Sequence, residues 1–123
     1  MVASSLRMPV VGRAASGAVA LVGAGPLCRA IGIAAEPRRA RQIGMATAAV
    51  DAVGVVLAVA ANDPRAQRRA AMVNATIDVM GAAALAIASR GADRPKRRLS
   101  ALASVFLLLG AGAWLRGAQQ LPT

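Results

Sequence analysis

The chain predicts an all-α fold, a four-helix transmembrane bundle with short basic loops, and three observations carry that prediction. Of its 123 residues, 57% are hydrophobic, yet the net charge is +10. The charges are bunched into Glu36 to Arg41, Asp63 to Arg69 and Arg90 to Arg98, and the stretches between them are almost free of charge. None of those stretches alternates with period two, and all are rich in Ala and Leu, which favour helix. Apolar spans joined by basic segments are the pattern of a membrane-embedded chain. At this length the chain is one integral membrane domain, residues 1–123.

The first helix is expected over about 10–33. The apolar run between Arg13 and Arg29 is only Ala14–Cys28, about 22 Å as a helix against a hydrocarbon core of roughly 30 Å. It spans if Arg13 and Arg29 snorkel outward or if the helix reaches back to Pro9. Pro26 is expected to bend it, leaving Pro26–Ala35 at the interface with Leu27, Ile31 and Ala34 toward lipid and Arg29 toward headgroups. Arg7, Arg13 and the small residues Val22-Gly23-Ala24 follow a signal-peptide layout loosely. Leu27 stands where a lipoprotein site needs a small residue before Cys28. The segment is therefore read as a span.

The second helix is expected over 43–61, stopped by Asn62-Asp63-Pro64. The third is expected over 70–89, ending before Arg90-Gly91, and the fourth over 99–116, ending at Arg116-Gly117. Loops of about six to nine residues would join antiparallel neighbours. The basic residues flanking the spans, Arg38, Arg39, Arg41, Arg97 and Arg98 above all, read as anchors for anionic lipid headgroups.

Two acids interrupt these spans. Asp51 lies in Ile43–Ala61 and Asp78 in Ala70–Ser89, each eight residues from the start of its run. Each belongs to the same stripe of a small polar residue, an acid and a glycine at i, i+4 and i+7: Thr47-Asp51-Gly54 and Asn74-Asp78-Gly81. That spacing puts each set on one helical face. Glycine allows close backbone approach, and Thr, Asn and Asp bond across helices, so the stripes belong inside a bundle. A lipid-facing acid would cost about 2.5–3.5 kcal/mol on insertion scales. An arginine could neutralise the pair, and Arg29 is the best-placed candidate if the first helix runs past Pro26. The stripes support either interhelical glue by a pair of neutral acids, or a functional site: a proton or cation relay, or a small polar-solute site.

Other functions lose their chemistry. The chain has no His, no Tyr and one Cys, Cys28, so it offers no internal disulfide and no Cys/His metal site. It has no phosphate loop and no nucleophile elbow, and its serines have no neighbouring base. No enzyme activity, metal or cofactor is expected. With aromatics at 2%, it lacks the stacking platforms of a single-stranded nucleic-acid reader.

The pieces Pro26-Leu-Cys-Arg-Ala-Ile-Gly32 and Arg38-Arg-Ala-Arg-Gln-Ile-Gly44, followed by Asp51, resemble the small Ala/Arg-rich, four-span membrane proteins common in actinobacteria. That resemblance implies a multi-pass protein of the bacterial plasma membrane and carries no catalytic residues. The expected role is structural or accessory, through helix–helix contacts with the bilayer, a homo-oligomer or a larger membrane complex. The alternative is a small proton-coupled transporter or channel subunit using Asp51 and Asp78.

Four spans put both termini and the second connection on one side, with six Arg and Lys residues there against nine on the other. The positive-inside rule then faces the termini outward. Reporter fusions at Thr123, within Arg65–Arg69 and within Arg90–Arg98 should place the first two on the outer side and the third in the cytoplasm. Opposite compartments for Thr123 and Arg65–Arg69 would exclude four spans.

Overall fold

The computed structural model describes residues 2–33 and 36–123 and contains four helices and, among these residues, no strand. They are α1 (Ser4–Ile31), α2 (Pro37–Ala60), α3 (Pro64–Ala88) and α4 (Arg94–Gln119). At 28, 24, 25 and 26 residues, each exceeds the ~20 residues a bilayer core requires, and each is apolar enough to cross a membrane.

The helices begin earlier than the apolar runs, so the connections shrink to residues 32–36, 61–63 and 89–93. Proline explains the early starts. Pro37, Pro64 and Pro95 occupy first-turn positions, where a missing N–H costs nothing and φ is already helical. Asp63 and Asp93 cap the same turns by accepting from the Ala66 and Lys96 amides at 3.0 and 3.2 Å. The basic residues expected in loops therefore stand on helices: Arg38, Arg39 and Arg41 in the opening turns of α2, Arg97 and Arg98 in those of α4, all exposed.

α1 ends at Gly32, whose left-handed backbone (φ 72°, ψ 25°) closes bonds to the Arg29 and Cys28 carbonyls. Its bend falls at Gly23 (φ −109°, ψ 17°), about one turn before Pro26, because proline disturbs the turn that precedes it. The helix resumes and runs on to Ile31 without leaving a separate interfacial piece. Leu27 and Arg29 are exposed and Ile31 half-buried, while Ala34 lies outside the described residues.

α1 packs most extensively on α2, and α3 on α4; sparser α1–α4 and α2–α3 contacts close the ring. Small residues make these interfaces. Buried Ala40, Ala58, Ala70, Ala71, Ala75 and Ala111 form most of the interior, with Leu6 and Trp114 as its large members. Gly44 meets the Ala20 carbonyl and the Ala24 side chain, and Gly117 meets Leu6 and the Ser5 carbonyl. Hydroxyls cross two interfaces: Ser5 donates to the Gly117 carbonyl at 3.0 Å, Ser100 to that of Leu85 and Ser104 to that of Ala82, both at 3.2 Å.

The large apolar side chains point the other way. Val22, Phe106 and Leu109 are 88%, 75% and 68% exposed, part of a continuous apolar exterior on a scale that monomeric water-soluble proteins rarely carry. A small-residue interior with a large-residue apolar exterior is how helices pack in lipid, where close backbone approach replaces a hydrophobic driving force.

Gly44→Ala should lower stability by about 1–3 kcal/mol, since its methyl would collide with α1 backbone. Gly112→Ala, whose methyl meets nothing, should be neutral or stabilising by up to ~1 kcal/mol. Reversible unfolding in mixed micelles measures both.

Candidate functional site: a buried arginine between two aspartates

Asp51 is the fifteenth residue of α2 and Asp78 the fifteenth of α3, each roughly 21 Å along its helix. They are 5% and 6% exposed. Between them lies Arg13 of α1, itself 6% exposed. Its Nη1 donates to Asp51 Oδ1 at 2.7 Å, and its Nη2 donates to Asp78 Oδ1 at 2.5 Å and to the Asn74 carbonyl at 2.9 Å. The guanidinium Cζ stands 5.8 Å from the ring centroid of Trp114 on α4, within cation–π range. One side chain thus touches all three other helices. A guanidinium suits this place because its planar fork is always charged and bonds in several directions at once.

Arg13 corrects the expectation that it snorkels outward. α1 starts at Ser4, so the helix reaches back past Pro9, and Arg13, its tenth residue, turns inward to the two acids. Arg29, the arginine expected to approach the acids, is exposed near the far end of α1. The buried residues of α1 are Leu6, Arg13, Gly17, Ala24 and Cys28, spaced by sevens and fours. Placing Arg13 on that face requires knowing that α1 begins before Pro9, which the apolar run conceals.

The two polar stripes divide. Asn74 is fully buried and donates from Nδ2 to the Gly54 carbonyl of α2 at 3.1 Å and to its own helix at the Ala70 carbonyl at 2.8 Å. Thr47 is exposed and bonds the Ile43 carbonyl one turn back, so it does not join the cluster. Residues i and i+4 differ by about 40° around a helix, enough to turn Thr47 outward once Asp51 points at Arg13. Gly54 lies against the Asn74 amide and the Arg13 chain, whereas Gly81 faces Leu107 at the α3–α4 interface. Gly17 and Gly110 complete the cradle: a methyl at Gly17 would come 3.1 Å from Asp51 Cβ, and one at Gly110 3.0 Å from Asp78 Oδ2.

Among the described residues, three buried side-chain polar atoms have no hydrogen-bond partner: Arg13 Nε, Asp51 Oδ2 and Asn74 Oδ1. No group of His, Cys, Asp and Glu that could hold a metal ion occurs among the described residues. Cys28 is buried against Ala40, Ile33 and Ile43 as an ordinary apolar side chain. What the site can do chemically is fix helices through charge, or hold one further positive charge, since it sets two carboxyl groups against one guanidinium.

Fold and site together define an all-α four-helix bundle with four helices long and apolar enough to cross a membrane and an ion-pair cluster at its centre. No family model matches the chain, and no curated protein or solved structure matches it.

Arg13→Gln should cost about 3–5 kcal/mol, because it strands two acids in the interior. Combining it with Asp51→Asn and Asp78→Asn should recover most of that loss, as the triple variant is neutral but still hydrogen-bonded. Thr47→Val should change stability by less than about 0.5 kcal/mol. Unfolding in micelles compares the three.

Proposed function

We propose that this chain is a multi-pass membrane protein of the bacterial plasma membrane with a structural or accessory role, acting through helix–helix contacts rather than by catalysis. The observation that carries this reading is the placement of Arg13: the interior cation is committed to two acids and a backbone carbonyl, as suits a lock between helices. The apolar exterior supports the lipid environment, and the exposed glycines Gly12 and Gly112 leave notches in it where another helix could approach closely. Such notches fit a homo-oligomer or a larger membrane complex. The exposed Arg38, Arg39, Arg41, Arg97 and Arg98 fit anionic headgroups. With Arg13 withdrawn into the core, the arginine and lysine bias across the membrane becomes five against nine, which strengthens the outward assignment of the termini.

A second reading, a small proton-coupled transporter or channel subunit, is favoured by one specific feature, the excess of carboxyl groups over guanidinium in the cluster.

Alkaline carbonate should leave the protein in the membrane pellet, and mild detergent should release it; release by carbonate alone would end the membrane assignment. In the structural role, Asp51→Asn and Asp78→Asn should insert, fold and retain the same copurifying proteins. Loss of ion flux from proteoliposomes in those variants, with the helical content intact, would establish the transporter reading instead.

A further inference from the structure

A cavity of about 270 Å³ opens on the outside of the bundle between α1 and α4. Met8, Phe106 and Leu109 line it and are 84%, 75% and 68% exposed, which makes them its rim. Arg13, Asp78 and Trp114 line it and are 6%, 6% and 1% exposed, which makes them its floor. The ion cluster is therefore reachable from the side of the bundle, at a depth where the surroundings are hydrocarbon if the four helices span.

The floor is chemically one-sided. Asp78 Oδ1 accepts from Arg13, but Asp78 Oδ2 has no hydrogen-bond partner among the described residues. That oxygen stands beside Gly110, which also lines the cavity and leaves the space a side chain would fill. The charges facing it are few: Arg13 from α1, Asp51 from α2 behind it, Asp78 from α3, and no charged group from α4. Two carboxyl groups face one guanidinium; with both ionised, one negative charge would lack a partner, and in a medium of low dielectric that would favour one further positive charge.

A proton can supply that charge, but the walls specify more. Apart from the floor, the lining is apolar or aromatic, with Ser16 as its one neutral polar side chain. A metal ion would meet a single free carboxylate oxygen, far short of the six or more oxygens that hard cations take. An organic cation finds a carboxylate for its charge, the rings of Phe106 and Trp114 among the lining, and apolar walls for its body.

We propose that the α1–α4 cleft is a binding site for a monovalent organic cation with a small apolar body, entering sideways from the bilayer and placing its charge beside Asp78 Oδ2. The proposal rests on the membrane assignment above.

Trp114 is the only Trp and the chain has no Tyr, so intrinsic emission reports on this cleft alone. N-benzylpyridinium, a contact quencher of tryptophan, should quench the full chain in non-ionic detergent saturably, and the neutral isostere diphenylmethane should fail to compete. Asp78→Asn should weaken binding at least about tenfold. Asp51→Asn should do the same, although Asp51 does not line the cleft, because it removes the excess charge without altering the walls. Phe106→Leu, at an exposed rim position that makes no ion pair, should weaken binding severalfold while leaving the fold intact.

Unchanged binding in both Asn variants, equal competition by diphenylmethane, or no saturable quenching in a helical, monodisperse preparation would each overturn the proposal. Should the Asn variants lose helicity, the Phe106→Leu comparison and the neutral competitor decide it. Release from membranes by carbonate alone would remove the membrane assignment and this site with it. Failure to bind in a detergent-extracted, folded protein removes the site only.

Discussion

The arrangement of this bundle follows from the cost of keeping a guanidinium in an apolar interior. An unpaired charge there is expensive, and the penalty is offset only when acids and further hydrogen-bond acceptors surround it with good geometry. Arg13 meets that condition by drawing on Asp51 of α2, Asp78 and the Asn74 carbonyl of α3, and the ring of Trp114 on α4. No pair of helices satisfies it alone. The cluster consequently fixes the relative rotation and depth of all four helices at once: a shift of any one by a residue would pull a donor from its acceptor. Replacing such a network by apolar residues can be neutral in stability, so its distinctive contribution is to register rather than to net free energy.

Everything around the cluster is cut to allow it. The side chains of Arg13, Asp51, Asn74 and Asp78 fit between closely spaced helices only because Gly17, Gly54 and Gly110 face them. Elsewhere alanine lets the backbones approach, and Ser5, Ser100 and Ser104 bond to carbonyls on neighbouring helices. Most of the bulky apolar residues lie on the exterior, where lipid tails or partner helices would cover them. Polar cluster, small-residue interior and apolar exterior are thus one solution: the helices must lie close for the ion pairs to form, so apart from Leu6, Trp114 and Leu121 the core hydrophobics are small.

The two functional readings share this architecture and differ in the charge count. The ion pairs of Arg13 serve a lock; the cluster also has one carboxyl group more than it has guanidinium, and Asp78 lies on the floor of an open cleft. Arg13 engages Oδ1 of each acid and leaves Oδ2 of Asp78 unengaged, and the proposed cation site uses that second oxygen.

The number of helices, their apolar character and the inward-facing Asp51, Asp78, Asn74 and Gly54 were legible in the sequence, because hydropathy and helical spacing are local properties that a linear pattern records directly. Helix starts were less so: the arginines after Pro37 and Pro95 read as loop, yet proline pre-sets the helical turn and the charged side chains ride on it. Which residue neutralises the acids was decided only by the tertiary structure. Arg13 and Arg29 flank the same apolar run and look equivalent along the chain, but α1 begins at Ser4, so one is carried into the core while the other remains near the surface. Thr47 and Gly81 share the spacing of the cluster without sharing its contacts, because a helical face spans enough arc to include residues turned toward different neighbours. Spacing along one helix determines what lies on a face; what that face meets depends on the rotation of the other three, and that is set by where the charges find their partners.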